Sequence, residues 1–170
     1  MTFPDPIRFL VITLSDRASL GEYEDLSGPA VTGMIREYFT AKGFGIHLEN
    51  CLMPDDPEAL QAKIRTSKGA GTHVIFTTGG TGIGPRDFTP DVVRPLLDKE
   101  IPGIMELIRM KYGSSKPAAL LSRSVAGVSG QTLIYCIPGS RKAVAEYCSE
   151  ILPTIIHSLK MILGIDDHTC

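Results

Sequence analysis

The stretch His73-Val74-Ile75-Phe76-Thr77-Thr78-Gly79-Gly80-Thr81-Gly82-Ile83-Gly84-Pro85-Arg86-Asp87-Phe88-Thr89-Pro90-Asp91 decides the fold. Bulky apolar residues at 74–76 read as a strand over 73–78, and the glycines that follow at once end it. Beyond the loop, Thr89-Pro90-Asp91 has the pattern of a helix N-cap, a first-turn proline and a first-turn acid favoured by the helix dipole. Strand, glycine-rich loop and helix in that order are the unit of an α/β protein.

The alternation extends in both directions. Upstream, Ile7 to Leu14 is a nearly continuous apolar run, read as a buried strand that ends in the polar Ser15-Asp16-Arg17. Ser27-Gly28-Pro29 opens a helix that carries Val31, Met34, Ile35, Tyr38 and Phe39 at helical spacing and ends around Gly43. A strand over 45–53 then meets Pro54-Asp55-Asp56-Pro57, where Asp56 can cap and Pro57 can open a helix to about Lys68. Downstream, helices are expected over 90–98 and 102–112. Segments 124–128 and 132–137 flank Ser129-Gly130-Gln131 as a hairpin. A last helix begins near Ser140 and lines up Val144, Tyr147, Cys148, Ile151, Ile155, Leu159 and Ile162, with Pro153 expected to kink or interrupt it. The expectation is an α/β fold of three layers, α/β/α, whose mostly parallel sheet contains one antiparallel hairpin. It forms one domain over 1–170, frayed from Gly164 onward.

Composition narrows the function. A chain of 170 residues, 43% hydrophobic and 21% charged, is that of an ordinary globular protein. A net charge of -2 argues against a nucleic-acid partner, which usually requires a basic stripe. The four cysteines form no C-x-x-C pair and no histidine stands at ligand spacing, which argues against zinc and fits reduced thiols in the cytoplasm. Met1 to Arg8 holds two prolines and no signal-like apolar run, and no long uncharged stretch predicts a membrane span.

In an open α/β sheet, ligands bind beyond the carboxyl ends of the strands. The loops expected there are Ser15-Asp16-Arg17, Pro54-Asp55-Asp56, Gly79 to Asp87, and Pro138-Gly139-Ser140. Residues without a β-carbon let backbone N–H groups approach phosphate oxygens, so Gly79, Gly80 and Gly82 are candidates to cradle phosphate. Thr77, Thr78 and Thr81 can add hydroxyl donors. It is not a Walker A loop, because Pro85-Arg86 stands where Lys-Ser/Thr is required. A plain glycine-rich turn is the simpler alternative. Asp87 and Asp55 are two carboxylates from different loops, a donor set suited to Mg²⁺ around a triphosphate. Taken singly, aspartate beside proline or glycine is more often a cap or turn residue, and Asp56 and Asp91 are assigned that role. Ser122-Arg123-Ser124 either places a guanidinium on phosphate or carries a surface arginine. Pro138-Gly139-Ser140 either binds an anion or lets Ser140 cap the helix. No chemistry is assigned to the histidines, and Met105, Met110 and Met161 are read as core fillers.

Together these residues resemble the molybdopterin adenylyltransferases of the MogA/MoaB type, including the corresponding domains of gephyrin and its plant counterpart. The resemblance spans nearly the whole chain. It rests first on Thr77 to Gly82 followed by Pro85 to Asp91, supported by Ser15 to Ser19, Pro54-Asp55, Glu100 to Gly103, Leu121 to Gly127 and Ile137 to Ser140. It implies transfer of AMP from ATP to the terminal phosphate of molybdopterin, with release of pyrophosphate and with Mg²⁺. By motif position, Asp87 matches the family's essential aspartate and is assigned the metal, while Asp55 matches its second active-site acid. Ser15, Asp16, Thr78, Gly79, Gly80, Thr81, Gly82, Pro138, Gly139 and Ser140 would hold nucleotide and phosphates, and Ser122 and Arg123 would meet the pterin side. The resemblance further implies a cytoplasmic homotrimer, which the apolar final helix permits, and a separate enzyme that inserts molybdate. Two other classes fit the same pattern: a non-catalytic molybdopterin-binding scaffold, against which both retained acids speak, and a regulatory nucleotide-binding domain.

Overall fold

The computed structural model describes residues 2–165. Its strands are β1 (Ile7–Leu14), β2 (Ile46–Met53), β3 (Val74–Thr78), β4 (Lys99–Glu100), β5 (Val125–Ser129) and β6 (Thr132–Ile137). They form one sheet in the order β2-β1-β3-β6-β5-β4. β2, β1, β3 and β6 run parallel, and β5 is antiparallel to both β6 and β4. The helices are α1 (Asp16–Ser19), α2 (Ser27–Ala41), α3 (Pro57–Gly69), α4 (Thr89–Val93), α5 (Pro102–Gly113) and α6 (Arg141–Leu163).

The three layers follow from the period of two along a strand. In β1, Ile7, Phe9 and Val11 point to one face, where they pack with Val31, Ile35 and Phe39 of α2, Met105 and Ile108 of α5, and the buried stripe of α6. Leu10, Ile12 and Leu14 point to the other, against Leu60 and Ile64 of α3 and Val93 of α4. A strand covered on both faces has no polar side to show, which is why Phe9 to Ile12 of β1 and Val74 to Phe76 of β3 read as unbroken apolar runs. Edge strand β2 instead mixes half-buried and exposed residues and has none fully buried.

The hairpin forms as expected. Ser129 pairs with Thr132, and between them Gly130 has φ +61°, while among the described residues no non-glycine has positive φ. Positive φ at the first central position alone is the signature of a type II′ turn.

Several expectations are corrected. The helix over 90–98 ends at Val93, a 3-10 turn covers Arg94–Leu96, and the chain then forms β4. Pro95 lacks the N–H that a continuing helix needs, and Gly127 leaves room for β4, since a Cβ there would meet the Lys99 carbonyl at 2.6 Å. Thr89 is not a cap: the helix begins at Thr89 itself, and its buried hydroxyl has no hydrogen-bond partner among the described residues. Helix α2 starts at Ser27 as expected, capped from outside by Asp25, whose Oδ1 accepts from the N–H groups of Ser27 and Gly28. Pro153 does not interrupt α6, because it sits on the exposed side while Ile151, Leu152 and Ile155 stay buried. Met105 is buried, but Met110 and Met161 are exposed and fill no core. Gly164 closes α6 in the left-handed conformation, with Ile165 N–H returning to the Lys160 carbonyl. The rest of the expected frayed tail, 166–170, lies outside the described residues.

Candidate active site

The parallel run β2-β1-β3-β6 brings four loops to one edge, and antiparallel β5 starts at that edge, since Val125 pairs with Cys136 near the end of β6. The edge therefore collects Ser15-Asp16, Pro54-Asp55, the glycine loop, Ser122-Arg123-Ser124 and Pro138-Gly139-Ser140.

The first two loops are tied reciprocally. Asp55 N–H donates to Asp16 Oδ1 at 2.8 Å, and Asp16 N–H donates to Asp55 Oδ2 at 3.3 Å. Arg86 reaches Asp16 Oδ2 at 3.7 Å, so Asp16 links the Asp55 loop to the glycine loop. Ser15 caps α1, accepting from Ala18 N–H, and its hydroxyl pairs with Tyr23 at 2.6 Å.

The glycines each make room for a specific neighbour. Gly79 has φ +109° and passes so close to β1 that a Cβ would lie 2.6 Å from the Leu14 carbonyl oxygen. Gly80, at φ +62°, leaves space for the Thr89 hydroxyl. At Gly82 and Gly84 a Cβ would approach Asp87 Oδ2 to 2.7 and 2.9 Å. The loop thus folds around the Asp87 carboxylate, whose Oδ2 accepts the Gly84 N–H at 2.8 Å. Thr78 Oγ1 donates to the Pro138 carbonyl at 3.1 Å, and Gly79 N–H to that of Ile137, so the glycine loop is anchored to the end of β6.

Ser140 caps α6 by accepting from Ala143 N–H. Asp56 caps α3 as expected, accepting from Glu58 and Ala59 N–H groups. Asp91 does more than the assigned turn role: both its oxygens face Arg123 Nη1, at 2.8 and 2.9 Å.

One cleft of about 840 Å³ opens at this edge. Its walls bring together Gly80, Thr81, Gly82, Asp87, Ser122 and the Pro138-Gly139-Ser140 turn. Ser15, Asp16, Asp55, Thr78, Gly79 and Arg123 do not line it, so Asp55 stands outside the cleft that holds Asp87. Lys116, Glu146 and Tyr147 line it without having been singled out in the sequence. Lys116 pairs with Glu146 at 3.7 Å, and adjacent Lys142 lowers the Lys116 pKa against the opposing pull of Glu146. Tyr147 donates to Ser122 Oγ at 3.0 Å. Its place on the apolar stripe of α6 concealed this hydroxyl; a phenol one turn and a half after a helix start beside Pro-Gly-Ser was the available signal.

Comparison with known proteins places the chain. Residues 10–157 match the family model described as "Probable molybdopterin binding domain". Molybdopterin adenylyltransferase from Helicobacter pylori is 36% identical over 91% of this chain and 86% of its own. Gephyrin from Dictyostelium discoideum is 37% identical over 89% of this chain, which spans only 22% of that longer protein. A molybdopterin biosynthesis protein from Mycobacterium abscessus superposes with TM-score 0.82 at 36% identity, covering 93% of this chain and 97% of that one. The tungsten cofactor synthesizing protein MoaB from Pyrococcus furiosus gives 0.81 at 34% identity, covering 94% and 99%. Family model, sequence relatives and fold agree over the region that carries the glycine loop and both acids, and the chain belongs to the molybdopterin-binding domain family of molybdenum cofactor biosynthesis.

Proposed function

We propose that this chain is a molybdopterin adenylyltransferase that works as one domain over residues 1–170. A terminal phosphate oxygen of molybdopterin attacks the α-phosphorus of ATP. A new P–O bond forms, the bond to the β-phosphate bridging oxygen breaks, and pyrophosphate leaves with that electron pair. The observation that carries this reading is the cleft in which Asp87, the glycine loop and the Pro138-Gly139-Ser140 turn face one space.

The phosphate monoester is already ionised at neutral pH, so the reaction needs alignment and charge neutralisation more than a strong base. Backbone N–H groups of Gly80 and Gly82 and the Thr81 hydroxyl orient phosphates, helped by the amino-terminal turn of α6. Lys116 and Lys142 supply positive charge at the mouth. Ser122, aligned by Tyr147, meets the pterin side. Asp55 acts on the site indirectly, through its ties to Asp16 and the ion pair of Asp16 with Arg86 of the glycine loop. The donor chemistry fits Mg²⁺: Oδ2 of Asp87 is engaged by Gly84, and the remaining carboxylate oxygen can join phosphate oxygens and water, which usually complete such a site. When bound, the ion would lower the negative charge on the triphosphate.

The homotrimer is part of this proposal. The stripe of α6 is consumed by the chain's own core, so self-association is better supported by exposed Leu107 and Met110 of α5 and by Leu120 and Leu121. A separate enzyme inserts molybdate, and the reaction takes place in the cytoplasm. Among the described residues no helix is long and apolar enough to cross a membrane.

The test is pyrophosphate release from ATP and Mg²⁺ with and without molybdopterin, for the parent chain and for folded Asp87→Asn and Asp55→Asn variants. Release that depends on molybdopterin and falls by about 10²–10³-fold in Asp87→Asn is expected, the usual loss when one preorganised electrostatic group is removed. Molybdopterin binding without release would make the chain a scaffold instead.

A further inference from the structure

Arg123 is committed to the glycine loop. Its Nε donates to the Gly82 carbonyl at 2.8 Å, its Nη2 donates to the Asp87 carbonyl, and its Nη1 sits between the two Asp91 oxygens. Its backbone N–H donates to the Thr81 carbonyl at 2.8 Å. One residue therefore ties Thr81, Gly82 and Asp87, both arms of the loop that carries the carboxylate. Arg123 lines a smaller hollow that shares Ser122 with the cleft, together with Arg94 and Arg109, and does not line the cleft itself. Arg109 in turn donates to the carbonyls of Ser122 and Ser124, which hold the segment on either side.

The loop needs such a brace. Gly82 and Gly84 offer no side chain to pack, Ile83 is 71% exposed, and residues 83–86 are all exposed. Glycine loses more conformational freedom on ordering than any other residue, so a bare glycine segment does not hold a carboxylate in one place unaided. A guanidinium suits the task because its donors lie in a rigid plane and reach three partners at once, whereas a lysine ammonium is a single point on a flexible stem.

We propose that Arg123 and Asp91 form a positioning clamp that fixes Asp87 in the cleft without touching substrate. The catalytic consequence rests on the adenylyl transfer proposed above. Displacing a reacting group by about 1 Å can cost about 10²-fold in rate while leaving ground-state binding nearly unchanged.

The experiment compares the parent chain with Arg123→Lys, Asp91→Asn and the double variant, each checked for folding by circular dichroism. Pyrophosphate release gives kcat, fluorescence titration gives the molybdopterin Kd, and hydrogen exchange gives protection of the 81–87 amides. The clamp predicts about a 10²-fold fall in kcat for Arg123→Lys, molybdopterin Kd within about threefold, and faster exchange confined to 81–87. Asp91→Asn should share these effects in lesser degree, and the double variant should fall short of the product of the singles, since both act through one contact. A tenfold rise in Kd with loop exchange unchanged would overturn the clamp and put Arg123 on the ligand. Should the parent chain release no pyrophosphate, adenylyl transfer fails, and hydrogen exchange alone still decides the clamp: faster exchange supports it and unchanged exchange overturns it.

Discussion

Replacing Gly79 by alanine tests whether the start of the glycine loop is dictated by the fold. The residue has φ +109°, and its added Cβ would sit 2.6 Å from the Leu14 carbonyl oxygen and 3.6 Å from its carbon. Leu14 ends β1, which is paired with β2 on one side and β3 on the other, so the obstructing backbone has little room to retreat. Holding an alanine in that region of backbone space costs about 1–3 kcal/mol. Overpacking against fixed atoms adds about 1–3 kcal/mol, for about 2–6 kcal/mol in all. A domain stable by about 5–15 kcal/mol would lose a large part of its margin. Two controls isolate the causes. Gly130→Ala, at φ +61° with nothing within 4 Å of the added Cβ, carries the backbone penalty alone, about 1–2 kcal/mol. Gly33→Ala, exposed inside α2 with nothing within 4 Å, should stabilise by about 0.5–1 kcal/mol, because alanine is the better helix former. Urea denaturation followed by circular dichroism, compared at equal m, reads all three. If Gly79→Ala loses no more than Gly130→Ala, the contact with Leu14 is not a constraint and the reasoning is wrong.

Three further outcomes are expected. Burial pushes the thiols of Cys136 and Cys148 up to about 12, so in a Cys170→Ser background a thiol reagent at pH 8 should label half-buried Cys51 quickly and the other two only on unfolding; rapid labelling of more than one thiol would contradict the packing. The Lys111 ammonium at 2.6 Å, joined by the Tyr112 hydroxyl, holds the Glu150 carboxyl below its usual 4.5, while Glu150 raises Lys111 above 10.5. Because the folded carboxyl binds its proton less readily than the unfolded one, the pair's contribution is fully present above pH 4.5 and is lost as pH falls through the folded value. On the alkaline side it is full below pH 10.5 and is lost as Lys111 deprotonates. The stability difference between parent and Glu150→Gln should accordingly shrink below pH 4.5, and a constant difference would count against the pairing. Finally, Lys116→Ala and Lys142→Ala should raise the KM for ATP by about 3–10-fold, more at low salt than at high, as charges at a cleft mouth act chiefly through attraction that salt screens; equal KM at both salt concentrations would remove these lysines from the site.

The parts read most readily from the sequence are those whose cause is local. Phe9-Leu10-Val11-Ile12 and Val74-Ile75-Phe76 announce strands covered on both faces, and Asp56-Pro57 and Ser140 mark helix starts by their own capping chemistry. Where local signals misled, tertiary contacts or a proline further along the segment had taken precedence. Thr89 resembles a cap, yet its hydroxyl is buried over Gly80. The helix from Thr89 stops early because Pro95 and the open flank of Gly127 favour a short edge strand. Pro153 lies within an unbroken helix because neighbouring apolar side chains hold both halves on the sheet.

The same division applies to the site. Sequence alone marked the candidate segments, strand ends rich in glycine, threonine and aspartate, and their arrival at one edge follows from parallel strands. Only the tertiary structure decided which of these residues share one space. It put Asp87 on the cleft wall and not Asp55, brought Lys116 and Tyr147 to that wall from elements far along the chain, and bonded the Arg123 guanidinium to the Gly82 and Asp87 carbonyls of the loop. The direction in which a side chain points depends on which donors and acceptors other loops bring within about 3 Å, a reach that no pattern of neighbours along the chain encodes.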